Sequence, residues 1–160
     1  GPKDLRGARD WSQKAAEKGD ADAMGMLATI YAHGQGVPVN HASARTWAKS
    51  AAEGGCSFAM PLYGFLLEKG LGGPKDLAEA RAWYGKAAEA GDRVGMYDYG
   101  IALVQGKGGA RMTQDGRAWL KKAADLGDPD AKRYLSRKGS SVRRAVKKRK
   151  YNSSTGFLPF

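Results

Sequence analysis

Asp76-Leu-Ala-Glu-Ala-Arg-Ala-Trp83-Tyr-Gly-Lys-Ala87-Ala88-Glu-Ala-Gly91-Asp92 decides the fold of this chain, because looser copies of it recur at one fixed spacing. Trp11, Trp47, Trp83 and Trp119 lie 36 residues apart and are the only tryptophans in the protein. Four and five residues after each comes an alanine pair: Ala15 and Ala16, Ala51 and Ala52, Ala87 and Ala88, Ala123 and Ala124. A glycine closes each copy, at Gly19, Gly55, Gly91 and Gly127. A period of this size is the mark of a stacked array of supersecondary units, each of which buries its apolar face against its neighbours.

Working outward, each copy is the second half of a helix-loop-helix unit. Ahead of Trp47, Met24, Leu27, Ala28 and Tyr31 share one helical face, and the stretch ends at Gly34, a residue suited to the left-handed position after a helix. Met60, Tyr63, Gly64 and Leu67 repeat the pattern ahead of Trp83, and Met96, Tyr99, Gly100 and Leu103 repeat it ahead of Trp119. Asn40 and Asp76 are placed to cap the second helices, as Asp4 is for the helix around Trp11. Met112 takes that place in the last unit, so Thr113 or Asp115 is expected to cap instead. A final first helix follows, with Pro129 in its opening turn, where proline's missing N–H is tolerated. Then the register stops, and Thr155 stands where the next tryptophan would fall. The expectation is an all-α array over residues 1–138, built as a half-repeat, three full repeats and a half-repeat, followed by a separate tail at 139–160. Gly1 to Leu5 duplicates Gly73 to Leu77, which reads as a start inside a repeat's loop, although Gly1-Pro2 also fits a tag-cleavage remnant.

Charge is distributed unevenly. The net charge is +11, but eight of the 27 Lys and Arg residues follow Ser136 with no acid among them, leaving 19 basic against 16 acidic residues in the array. The tail therefore carries most of the excess. A single cysteine, Cys56, excludes an intrachain disulfide framework and a thiolate metal cluster. The sequence shows no apolar run of membrane-spanning length and no recognisable signal peptide, and a processed or excised piece of a longer chain would look the same.

The pattern Ala23-x-x-x-Leu27-Ala-x-x-Tyr31-x-x-Gly34-x-Gly36-Val37, continuing Ala44-x-x-Trp47-x-x-x-Ala51-Ala52-x-x-Gly55, resembles the Sel-1-like repeat, a relative of the tetratricopeptide repeat. The resemblance implies a right-handed superhelical solenoid of antiparallel helix pairs whose first helices line a concave face. It also implies a scaffold or adaptor that binds proteins or peptides, of bacterial origin, with the compartment open and the periplasm favoured slightly over the cytoplasm. A cysteine-rich bacterial subgroup of the family is linked to penicillin binding. This chain lacks the paired cysteines, so that function is not carried over.

Catalytic and ligand-holding motifs are weak. The Gly-x-Gly steps at Gly34, Gly70 and Gly106 follow a helix, whereas a dinucleotide cradle needs strand, turn and helix. His33 and His41 flank a loop with no Cys, Asp or Glu at metal spacing beside them. Cys56 occupies a helix-start position where the other units have Asp20, Asp92 and Asp128; a helix terminus there can lower a thiol pKa, but a small structural residue is the simpler reading. Glu17, Glu53, Glu89 and Asp125 recur as a solvated charged face. No acid/base pair stands out, and neither enzymatic activity, nor a cofactor or metal, nor a small-molecule substrate is expected.

The stronger signal is a second apolar stripe on the first helices. The resemblance places Phe58, Pro61, Phe65 and Lys69 on the concave side of one repeat and Val94, Tyr97, Ile101 and Val104 on the next, with Arg133 and Arg137 at the far end. A helix that is apolar on two faces buries both or offers one to a partner, so these residues are expected to bind a protein or peptide. The two arginines suit an acidic group of the ligand. In the tail, Arg143, Arg144, Lys147, Lys148, Arg149 and Lys150 can steer a ligand, or bind nucleic acid or anionic lipid as an alternative function. The apolar end Phe157, Leu158 and Phe160 suggests a ligand for the groove of the same chain or of a neighbour.

Overall fold

The structure, a computed structural model, describes residues 5–137. Eight helices follow one another: α1 (Leu5–Glu17), α2 (Ala21–His33), α3 (His41–Glu53), α4 (Ala59–Lys69), α5 (Leu77–Glu89), α6 (Arg93–Gln105), α7 (Thr113–Asp125) and α8 (residues 129–137). Among the described residues there is no strand, and no helix is long and apolar enough to cross a membrane. The helices pair as α2 with α3, α4 with α5 and α6 with α7, and each pair packs on the next, giving the expected helical repeat solenoid. α2 also touches α4, and α4 touches α6, so the first helices form the inner side of the stack.

The recurring residues fill the space between helices. Ala44, Ala48, Ala52, Ala80, Tyr63, Leu66, Leu67 and Trp83 share one core cluster, and Leu120, Ala123, Ala131 and Met96 share another. Small alanines let second helices approach closely, and the aromatics lock the pairs edge to face: Tyr63 on Trp83 at 5.6 Å, Tyr99 on Trp119 at 5.9 Å. Lys86 and Lys122 cover the outer faces of those tryptophans at 4.0 and 4.1 Å.

Loops are held by the preceding repeat. The Arg45 guanidinium donates to the carbonyl of Pro74 at 2.7 Å, and the repeat-equivalent Arg81 donates to that of Ala110 at 2.8 Å. Gly72 and Gly108 sit with positive φ so close to the carbonyls of His41 and Leu77 that any β-carbon would collide. The Gly-x-Gly steps are thus caps and packing contacts.

Caps follow the sequence where the residue is right and fail where it is not. Asp20, Asn40, Asp76 and Asp92 each accept a hydrogen bond from the backbone N–H three residues on. At α7 the expectation is corrected: Met112 is the N-cap residue and no side chain caps the helix, neither Thr113 nor Asp115. Where Cys56 replaces the capping acid, α4 starts only at Ala59 and is 11 residues long against 13 for α2 and α6.

Candidate binding groove

Each first helix presents positions i, i+3, i+4 and i+7 to the inner side, the face that one helical stripe allows. These are Asp22, Gly25, Met26 and Thr29 in α2, then Phe58, Pro61, Leu62 and Phe65 in and before α4. In α6 they are Val94, Tyr97, Asp98 and Ile101, and in α8 Asp130, Arg133, Tyr134 and Arg137. Among the described residues, pockets open along this side. One of about 400 Å³ is lined by Ala8, Met26, Thr29, Ile30, Gln35 and Phe58. The next, about 330 Å³, runs from Phe58, Pro61, Leu62 and Phe65 to Asp92, Val94 and Asp98. A third, about 180 Å³, lies on the other side of Phe65, between Glu68, Lys69, Tyr84, Asp98, Ile101 and Lys107. The last, about 320 Å³, is bounded by Tyr97, Asp130, Arg133, Tyr134 and Arg137.

Phe58 and Phe65 are each 44 % exposed and Val94 48 %, a large apolar area left open to water. Phe58 separates the first two pockets, its ring lying over Gly25, where a side chain would collide with it. Lys69 reaches over the Phe65 ring at 5.9 Å. Pro61 is buried yet borders the second pocket, and Ile101 and Tyr97 are half-buried on the walls of two others. Val104 corrects the expectation. It is 6 % exposed and belongs to the core with Leu120 and Ala131, because Gly116 of α7 leaves room for its side chain between the helices. The tail residues Arg143, Arg144, Lys147, Lys148, Arg149, Lys150, Phe157, Leu158 and Phe160 lie outside the described residues.

Asp98 was not foreseen. It lines both pockets that flank Phe65, at the i+4 place of the inner stripe. Burial pushes its carboxyl up to about 7, the charges of Glu68, Asp128 and Asp92 add to this, and Lys107 opposes it. Glu68 beside it behaves differently. Burial disfavours its charge too, but hydrogen bonds from Lys107 at 2.7 Å and the Tyr84 hydroxyl at 2.9 Å, with the charges of Lys107 and Lys69, hold it below the usual carboxylate range. Retaining i+4 alongside i+3 and i+7 in the sequence reading would have found Asp98.

Cys56 and His33 can also be placed. Cys56 is buried, and burial raises its thiol to about 11, the opposite of an activated nucleophile. His33 Nδ1 lies 3.0 Å from the Thr29 carbonyl oxygen. Among the described residues no group of three or more His, Cys, Asp or Glu side chains is placed to hold a metal ion.

No curated protein matches the chain. A Sel1 repeat protein from Oxalobacter formigenes superposes with a TM-score of 0.73 at 34 % identity, covering 79 % of this chain and 51 % of that one. A protective antigen present in uropathogenic Escherichia coli strains, displaying an SLR fold, gives 0.76 at 37 % identity, over 81 % of this chain and 28 % of that one. Cysteine-rich protein B of Helicobacter pylori gives 0.63 at 25 %, over 81 % and 93 %. This chain thus spans only about half and about a quarter of the first two proteins' lengths. The Sel1 repeat model matches residues 1–20, 21–56, 57–92 and 94–128, most of the sequence, and the chain belongs to the Sel1 repeat family.

Proposed function

We propose that this chain is a non-catalytic, bacterial binding module that holds an extended segment of a partner protein along its inner groove. Sel1 repeat proteins are typically protein-interaction scaffolds, and the three similar solved structures come from bacteria. The observation that carries the reading is the open apolar surface of Phe58, Phe65 and Val94, set in contiguous pockets. Aromatic anchors that desolvate in pockets dominate protein–protein affinity, and neighbouring contacts exclude water around them. Pro61, Tyr97 and Ile101 wall the groove, Lys69 covers Phe65, and Arg133 and Arg137 suit an acidic group at its far end.

A pull-down that compares the native chain with a Phe65→Asp, Tyr97→Asp double variant tests this. Partners are expected to be lost selectively while the helical circular dichroism persists; retention of every partner by the folded variant overturns the reading. Residues 139–160 are proposed as a distinct tail whose apolar end, Phe157 to Phe160, competes for the groove. Deleting residues 151–160 should then raise groove-dependent capture, and unchanged capture with an unchanged oligomeric state would place that end elsewhere.

A second reading rests on the eight basic residues after Ser136, unrelieved by any acid. It makes the tail a binder of nucleic acid or anionic lipid. Counterion release would then collapse binding between low and moderate salt, whereas an aromatic groove is far less sensitive.

A further inference from the structure

Asp98 stands where the other repeats carry Met26, Leu62 and Tyr134. The repeat therefore does not need a carboxyl here to fold. Apolar side chains fill the position elsewhere, and an ionised group among apolar walls is costly unless something pairs with it. Pro61, Leu62 and Val94 wall the pocket on one side of Phe65, and Ile101 lies in the pocket on the other. Asp98 borders both, and no hydrogen bond or ion pair joins its carboxyl to any other described residue. Glu68, in the same pocket, is saturated by Tyr84, Lys107 and Lys69.

The charges around Asp98 favour a cationic guest. His33 faces the site from α2, Glu68 and Lys69 from α4, and the Tyr84 hydroxyl from α5. Asp92 lies on the near end of α6, Lys107 in the loop after it, and the negative charge of Asp128 reaches the site from the start of α8. Lys107 and Lys69 are both engaged by Glu68. An open carboxylate between apolar walls suits a long cationic side chain: the head pairs with the charge, the alkyl stem packs on the walls, and aromatic faces add cation–π attraction.

Resting on the groove reading above, we infer that Asp98 determines the specificity of the groove by taking the ammonium or guanidinium of one Lys or Arg in the bound segment, with apolar residues of that segment on either side seated against Phe58 and Ile101. The partner is thus a segment in which a single basic residue is flanked by apolar ones. Because the Asp98 carboxyl titrates near neutrality, its attraction for that cation strengthens as pH rises through about 7, while a ligand Lys or Arg stays charged throughout.

Random dodecapeptides displayed on phage and panned on the full chain at about pH 8 test this, with D98N and F65D as parallel baits. The native chain should enrich peptides with one Lys or Arg between apolar residues. D98N should keep the apolar preference and lose the basic one, and F65D should recover neither. An enriched peptide should bind the native chain about tenfold more tightly at about pH 8 than at about pH 6, the ratio of ionised Asp98, and D98N should lose that factor. A basic preference that survives D98N, or enrichment of acidic peptides, overturns this inference and leaves the groove reading standing. Recovery of no peptide sensitive to F65D overturns both.

Discussion

Along the second helices the equivalent positions carry the same residue in every copy: Trp11, Trp47, Trp83, Trp119, and the alanine pairs that follow them. Along the inner stripe of the first helices they carry Met26, Leu62, Asp98 and Tyr134, or Thr29, Phe65, Ile101 and Arg137. The difference follows from what each surface touches. A second helix always meets the next unit of the same array, so one packing solution serves every junction and recurs. The inner stripe meets water or a partner, and nothing in the stack constrains it to one residue type. Under the proposed function, chemistry that discriminates between ligands would lie on this inner surface, where the pockets open.

The largest expected effect breaks the recurring side. Trp83 is 8 % exposed, stacked edge to face on Tyr63 with its Nε1 donating to Glu79 at 3.4 Å, whereas Trp11, in the same register, is 79 % exposed. Truncating a buried aromatic loses both transfer free energy and packing. Trp83→Ala should cost about 3–5 kcal/mol in urea unfolding, and Trp11→Ala less than about 0.5 kcal/mol, as an exposed residue outside the core. Equal losses would mean that the sequence register, and not burial between units, sets each residue's contribution.

The same contrast explains what the sequence made legible. The periodic residues gave away the helix order and the loop glycines, and Asp20, Asn40, Asp76 and Asp92 marked helix starts because capping is a local, one-residue property. Properties that depend on the facing helix stayed hidden. Val104 sits in the stripe by spacing but turns into the core, because Gly116 across from it offers space that no single-helix pattern records. Asp98 was lost for a different reason: a stripe sought by apolarity passes over a carboxyl, although the i+4 position was available.

The next effect sharpens the inner side. The Asp98 carboxyl is raised from the ordinary 3.8 to about 7, first by burial and then by Glu68, Asp128 and Asp92. The folded chain thus holds a proton that the unfolded chain releases, so this group's contribution to stability falls as pH rises from about 4 to about 7 and is constant above that. Asp98→Asn removes the titration. The stability of the variant relative to the native chain should increase by something of order 2 kcal/mol between pH 5 and pH 8, measured as urea midpoints. Glu68 works in the opposite sense and in a separate window, its stabilisation being lost as pH falls below the usual carboxylate range of about 4.5. A difference between variant and native chain that does not change with pH would mean that the Asp98 carboxyl is ionised throughout.

The smallest effect repairs the one junction where the recurring side departs from its own rule. Met112 has φ −129 and ψ 76, close to the −140 and 91 of Asn40 and the −141 and 101 of Asp76, so its backbone already has a capping conformation without a capping side chain. Arg81 reaches the place, its Nη2 lying 3.6 Å from the Met112 sulfur and its Nη1 donating to Ala110. Met112 is 43 % exposed, so little apolar contact is lost on replacing it. Met112→Asp should accept a hydrogen bond from the N–H of Asp115, as Asp76 does from Glu79, and should gain the charge of Arg81. Repulsion from the Asp115 carboxylate in the first turn works against it, but Glu79 holds that place in α5 without disturbing the Asp76 cap. The net expectation is a stabilisation of about 1 kcal/mol, seen as a higher melting temperature and slower amide exchange in the first turn of α7. A variant no more stable than the native chain would show that the Arg81 contacts already satisfy this helix end, and that the missing cap is a substitution in kind and not a weak point of the stack.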